Sequence, residues 1–394
     1  MRWILTVLLL LCLQPTVGAA DAIETAIAWA EREVGPDRAR PAGGPLVIAH
    51  RGASGDAPEH TLEAYALAVL QGADHLEVDL VSSADGVLIA RHENELGLTT
   101  DVAERPEFAE RRKRRLVDRQ YRRGWFSEDF TLAEIRQLQA KERMPTLRPA
   151  NSRVEGRVAT LEEIIRLTKR LEAREGRPIG LYLETKHARH FARRGLPLEA
   201  PLAELLAAHG YTSAEAPVFL QSFERSSLER LRDLTPLRRV QLIGRRYPAD
   251  QPLLARQSFR RMASARGLAE VASYAHAVGP EKGYVIPRDR DGRLTQPSDF
   301  VGHARAAGLQ VHPYTFRAEN RFLPTGLRLG PHDHQRGDLK AELSAFLAAG
   351  VDGLIIDHPA IAVRLLQQSS VRTLGTAEAP ALLSFSSDRH RDIE

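Results

Sequence analysis

The stretch AHRGASGDAPEHTLEAY, residues 49–65, sets a histidine and an arginine side by side at the end of an apolar run. His50 has a counterpart in His92, which closes a second apolar run, VLIARH (87–92). Two imidazoles can serve as general acid and general base of a displacement near neutral pH. Arg51 can grip a phosphate or carboxylate through two N–H groups at once, and Lys186, just after IGLYLET (179–185), adds a compact positive charge. Three acids stand near these groups in the same kind of run. Glu77 and Asp79 are two apart within LEVDL (76–80), so on a strand both carboxylates leave the same face. Glu184 lies near the end of IGLYLET. Desolvating such acids together is costly unless a proton or cation lies between them. All-oxygen donors favour a hard cation, Ca²⁺ or Mg²⁺, over zinc, and an exported chain meets calcium readily, which puts Ca²⁺ ahead of Mg²⁺. Each acid alone is as easily explained by pairing with an Arg or Lys; the three together are better explained by a metal. Metal, two imidazoles and two cations fit hydrolysis of a phosphate ester, where catalysis is mostly positioning and charge neutralisation.

Other signals carry less. GASGD lacks the G-x-S-x-G spacing, so turn chemistry explains Ser54 better than a nucleophile does. There is no Walker loop, no H-E-x-x-H and no dinucleotide fingerprint. HDH at His332 to His334 lies in Pro/Gly-rich surroundings and reads as an exposed loop, and His75, His187, His190 and His209 have no comparable constellation. The net charge is +4, with a sequence pI near 9.3, and most basic residues are Arg. They are scattered rather than interleaved with aromatics, which argues against nucleic acid as a partner. The one dense run, RRKRR at 111–115, reads as a solvated helix face or loop, with attraction of an anionic partner as the other reading.

These residues need elements to position them. At 394 residues and 43% hydrophobic, the chain can bury a large core. Apolar β-rich runs appear at 46–50, 76–80, 87–92, 179–185, 218–223, 240–244, 309–316 and 353–357, mostly continuous, as suits strands covered on both faces. Amphipathic helical patterns lie between them. Eight strands alternating with helices favour an α/β fold of the TIM type, a (β/α)8 barrel. YVIPR near 284 is either a further strand or an irregular loop. In such barrels the site lies at the C-terminal strand ends, where His50, Arg51, His92, Glu184 and Lys186 fall, with Gln221, Ser222, His312, Tyr314 and Asp357 as further strand-end polar groups. Residues 93–159 are too long for a simple connection and predict an inserted subdomain after strand 3. Residues 1–20, with Arg2, an apolar stretch from Trp3 to Leu13 and small residues to Ala20, predict a signal peptide and hence a periplasmic or secreted chain. Cys12, the only cysteine, lies within it, so packing rather than a disulfide must supply stability. No segment reaches the length of a membrane span. The main domain is expected over 21–366, and 367–394 as a weakly ordered tail.

In order, the segments HRGASGDAPEHTLEAY, GADHLEVDL, HENELGLTTDV, LYLETK, LQSF, VHPYTFR and GVDGLIIDHP resemble the glycerophosphodiester phosphodiesterase family, particularly its exported bacterial members. The resemblance implies a TIM-type barrel with an insertion, calcium dependence, and hydrolysis of small glycerophosphodiesters to glycerol 3-phosphate and an alcohol. It implies His50 and His92 as the catalytic pair, Arg51 and Lys186 at the phosphate, and Glu77, Asp79 and Glu184 as metal ligands. Two positions depart from the family pattern: His92-Glu93 stands for the usual His-Asp, and Ile356 replaces the Thr of the usual TD-x-P. A phospholipase C- or D-like enzyme acting on intact or lyso-lipids is the alternative, although it would want an apolar rim where 93–159 is mostly charged. A catalytically silent binding protein would be expected to lack one of these groups, and a glycosidase using Glu77 and Glu184 leaves the histidines and Arg51 unexplained.

Overall fold

Short runs of Val, Ile and Leu bounded by glycine, proline and polar turns form the strands of this protein, for which a computed structural model describes residues 19–34, 44–245, 248–250 and 258–377. In chain order the strands are β1 (Leu46–Ala49), β2 (His75–Ser82), β3 (Leu88–Ala90), β4 (Lys113–Val117), β5 (Gln120–Gly124) and β6 (Gly180–Thr185). They continue with β7 (Val218–Ser222), β8 (Arg238–Ile243), β9 (Ala277–Pro280), β10 (Gln310–Val311) and β11 (Gly353–Ile356). Eight of them form one parallel path, β10-β9-β8-β7-β6-β2-β1-β11. The two ends meet without a regular ladder: Phe316 N–H donates to Ile355 O at 3.0 Å and Asp357 N–H to Phe316 O at 3.0 Å. The result is a nearly closed α/β barrel, as the alternation of strand and helix patterns predicts.

The eight strands are not quite those the apolar runs suggest. Leu88–Ala90 pairs antiparallel with β2, off the barrel path, while Ala277–Pro280 fills the vacant place between β8 and β10. YVIPR is not a strand; a short 3-10 turn, Lys282–Tyr284, runs into it. RRKRR is neither helix face nor loop for most of its length, because β4 begins at Lys113 and pairs with β5. The HDH segment is exposed, with the rings of His332 and His334 stacked at 5.4 Å.

Period-two alternation layers the barrel interior. Ile48, Tyr182, Phe219, Val240, Ala277 and Ile355 form a buried, largely apolar lower layer. Two residues further along their chains come His50, Glu184, Gln221, Leu242, Gly279 and Asp357, so the same pleat that buries the core lifts polar groups to the C-terminal rim. His312 belongs to the lower layer, edge-on to Tyr182 and Phe219, rather than to the rim.

Outside, the helix Leu62–Leu70 is buried on nearly every side because the helix Ala19–Glu33 packs over it through Ile23, Ala26, Ile27 and Ala30. Their i, i+3, i+4, i+7 spacing makes one apolar stripe. The helix Leu161–Glu175 starts at a capping box, Thr160 with Glu163, and stops at Gly176 in the left-handed conformation. Between β3 and that helix lies the stretch 93–159, built from the β4–β5 hairpin, 3-10 turns and one short helix, Leu132–Ile135. The last helix, Pro359–Ala377, continues past Gln367, where the tail is expected. Most of the expected signal segment and the end of the tail lie outside the described residues.

Candidate active site

A cavity of about 670 Å³ opens at the C-terminal end of the barrel, and His50, Arg51, Glu77, Asp79, His92, Glu184 and Lys186 all line it. The path from β1 into the first helix shows how two of them are held. Arg51 takes a left-handed φ of 58°, which turns its own backbone N–H onto Glu77 Oε2 at 2.8 Å. Gly52 follows at φ 84°, and any Cβ there would lie 2.7 Å from the backbone of Ala64. Strain of this kind in a non-glycine residue persists only where the surroundings fix it.

Glu77, Asp79 and Glu184 each present an oxygen within 4.8 Å of the others, and all three are buried. Their electrostatics are lopsided. Burial and the neighbouring Asp79 push Glu77 well above the usual carboxylate range. Burial also pushes Glu184 up, to about 8, against the pull of Lys186. Burial would raise Asp79 too, but Lys186, His92, His60 and Arg51 outweigh it and hold the acid ionised. The cluster therefore carries more carboxylate than its surrounding cations neutralise. A divalent cation fits that imbalance and the all-oxygen donor set.

Each candidate imidazole is oriented by a carboxylate. His50 Nδ1 lies 2.7 Å from Asp357 Oδ1, and His92 Nδ1 lies 2.6 Å from Glu93 Oε1. Donation from Nδ1–H to the acid leaves Nε2 of each ring as the basic nitrogen. Burial, then the positive charge of Arg51, lowers His50 to about 4. His92, with 31% of its side chain exposed, is lowered by burial and by Arg51 and Lys186. Lys186 Nζ is 2.9 Å from Glu184, and Arg51 is braced by Glu59 at 3.0 Å and Asp79 at 3.2 Å.

A supporting shell surrounds these groups, and of its members only Gln221 and Asp357 stand out in the sequence, as strand-end polar groups. His60, another left-handed residue, bridges Tyr65 and Asp79 at 2.7 and 2.9 Å. Gln221 donates to Glu77 at 2.9 Å. Arg143 joins Glu59 to Glu93, and Arg148 joins Asp357 to Glu319 while donating to Ser54 O. Arg317 adds a second cation on Asp357 at 2.8 Å. Asp357 and Gln221 were placed at the barrel mouth as polar ends of apolar runs, and Glu59 was findable within PEHT. Arg143 and Arg148 sit among many arginines in 93–159 and have no local pattern that marks them.

The Glycerophosphoryl diester phosphodiesterase family model matches residues 50–361. The chain belongs to that family. A glycerophosphodiester phosphodiesterase of Arabidopsis thaliana is 34% identical over 79% of this chain and 83% of its own length. One from Haemophilus influenzae is 30% identical over 70% and 79% respectively. Among solved structures, a glycerophosphodiester phosphodiesterase from Agrobacterium tumefaciens superposes with a TM-score of 0.50 at 21% identity, over 81% of this chain and 99% of that one. A phosphodiesterase from Oleispira antarctica, solved with the product sn-glycerol-3-phosphate, gives 0.53 at 21% identity, over 84% and 97%. The protein is thus a glycerophosphodiester phosphodiesterase on a TIM-type barrel, and the cavity at the barrel mouth is its candidate active site.

Proposed function

We propose that this member of the family hydrolyses glycerophosphodiesters to glycerol 3-phosphate and an alcohol, with His50 and His92 exchanging the protons and Arg51 and Lys186 on the phosphate. Glu77, Asp79 and Glu184 would hold a divalent cation, calcium ahead of magnesium. The observation that carries the reading is the meeting of two carboxylate-oriented imidazoles with Arg51, Lys186 and a three-acid cluster in one cavity. A bound cation there would neutralise phosphate charge as it builds on the oxygens.

The side chains account for the rest. Arg51, fixed by Glu59 and Asp79, orients the diester through its remaining N–H groups. One imidazole takes a proton at Nε2 from the attacking hydroxyl, either of water, which gives glycerol 3-phosphate directly, or of the glycerol 2-position, which gives a cyclic phosphate that water then opens with the two imidazoles exchanging roles. The other, its pKa raised by the incoming phosphate, gives a proton to the leaving alkoxide as the P–O bond breaks. The apolar run at residues 3–13 and the small residues after it support an exported enzyme, periplasmic or secreted.

The test is a coupled assay for glycerol 3-phosphate release from several glycerophosphodiesters, with and without a chelator. Glycerol 3-phosphate and free alcohol should appear together, chelation should abolish turnover, and calcium should restore it. Release of a phosphorylated alcohol would refute the reaction, and full turnover after exhaustive chelation would refute the metal.

A further inference from the structure

The β4–β5 hairpin carries a surface that the chemistry of the cavity does not use. Its register pairs Arg114 with Arg123 and Leu116 with Tyr121, and these four share one face. The opposite face is the packed one, with Arg115, Val117 and Gly124 buried. On that side three cations have carboxylate partners: Arg115 meets Glu128 at 2.7 Å, while nearby Arg111 meets Glu134 at 2.6 Å and Lys113 meets Asp129 at 2.9 Å.

The outer face is different. Leu116 is 51% exposed and Tyr121 65% exposed. Among the described residues, Arg112, Arg114 and Arg123 have no carboxylate at ion-pair distance; Arg114 lies over the Tyr121 ring at 4.0 Å and Arg112 over Trp125 at 5.3 Å. Two arginines placed directly opposite each other weaken a hairpin. The Leu116–Tyr121 pair and the Arg114–Tyr121 stacking offset part of that cost, yet they leave Leu116 and Tyr121 more than half exposed and Arg123 without a counter-charge among the described residues. The tip is fastened beside the cavity: Asp118 bonds His187 Nδ1, one residue after Lys186. Behind it lies a cleft of about 720 Å³ lined by Arg119, Arg189, Arg193 and Arg194 together with Asp118, with Arg194 at 3.5 Å from Glu128.

We propose that this hairpin face docks the enzyme onto an anionic phospholipid bilayer. Charge complementarity selects the partner: arginines attract the anionic surface, while Leu116 and the amphipathic ring of Tyr121 enter the headgroup boundary. A nucleic acid fits less well, because sequence-tolerant strand binding uses successive stacking aromatics and this face offers the single exposed ring of Tyr121. Two apolar side chains are also too few for the core of a stable protein interface. The docking is independent of which diester the cavity cleaves.

The experiment is flotation of the full chain with vesicles of phosphatidylglycerol and phosphatidylcholine in equal parts, against pure phosphatidylcholine. Binding is expected to the first alone, and to weaken as salt shortens the screening length from about 10 Å at 0.1 M to about 3 Å at 1 M. Arg114→Glu with Arg123→Glu should weaken it by at least about tenfold, and Leu116→Ser with Tyr121→Ser should also weaken it. Both double variants should keep the diesterase turnover of the unaltered chain, which shows that they fold. Arg260→Glu with Arg261→Glu, matched in net charge but outside the hairpin, should bind normally. No binding to the anionic vesicles, an equal loss in the charge-matched control, or preference for a single-stranded oligonucleotide at equal anionic charge would each overturn the proposal.

Discussion

Asp357 meets three partners at once, with Oδ1 on His50 and Oδ2 on both Arg148 and Arg317. In Asp357→Asn the amide oxygen would stay with the two arginines, so the NH₂ would face His50 and drive its proton to Nε2. His50 would then lack the lone pair that takes a proton, and turnover should fall on the order of 10²-fold or more with the fold intact. Alanine at His50 or His92 should cost on the order of 10² to 10⁴; near-normal kcat in these variants would sink the assignment. His50 is lowered to about 4 by burial and Arg51. At saturating calcium, which holds Glu184 ionised, kcat/KM should decline below about pH 5 if His50 is the base and rise there if it is the acid, and a pH–rate profile separates the two. Glu77 allows a separate test of the metal. Burial already favours its neutral form, and Gln221 Oε1 has no hydrogen-bond partner, so a flipped Gln221 could accept from an introduced amide. Glu77→Gln should thus leave the melting temperature of chelated protein unchanged or raised, yet abolish the gain that calcium gives the unaltered chain. A calcium-induced gain as large in the variant would remove Glu77 from the ligand set.

The stretch 93–159 acts on the cavity through two arginines, which makes it part of the site's support. Arg148, with 5% of its side chain exposed, compensates both Asp357 and Glu319. Its removal leaves two buried acids short of positive charge, so Arg148→Ala should cost on the order of 3 to 5 kcal/mol, read from denaturant unfolding. A loss under about 1 kcal/mol would class the pair with surface ion pairs. This support shell also marks where sequence reading ended. The seven candidate residues that meet in the cavity were legible because their types are chemically costly to bury and because apolar runs place them in or at the ends of strands. The barrel class was legible from the alternation of strands and helices. Strand identity was less so. LIA has the composition of a core strand but returns antiparallel on β2, and AVGP, ending in Gly-Pro, is too short and too weakly β-forming to read as a barrel strand. His312 illustrates a further limit. It follows a strand of two residues, and which layer of the barrel it occupies depends on register that composition does not encode.

Across the whole molecule, the buried histidines tie stability to pH. Burial lowers His312 to about 3, and His50 and His358 are lowered in the same way. A histidine depressed in the folded state is protonated more readily in the unfolded chain. Its contribution is therefore fully present above about 6.5 and is lost as pH falls toward the folded value, by up to about 1.4 kcal/mol per pH unit for each group. His312 is the cleanest place to measure this. It lies in the lower layer with Tyr182 OH at 3.0 Å and has no contact with the candidate metal ligands. His312→Gln keeps a polar group for Tyr182 and removes the titration, while raised or lowered acids elsewhere act equally in both chains and cancel in the comparison. Between pH 6.5 and 5, unfolding free energy should fall less steeply in the variant, by about 1 kcal/mol per pH unit on average and approaching about 1.4 near pH 5. Parallel slopes in urea unfolding across that range would show that His312 is already protonated in the fold.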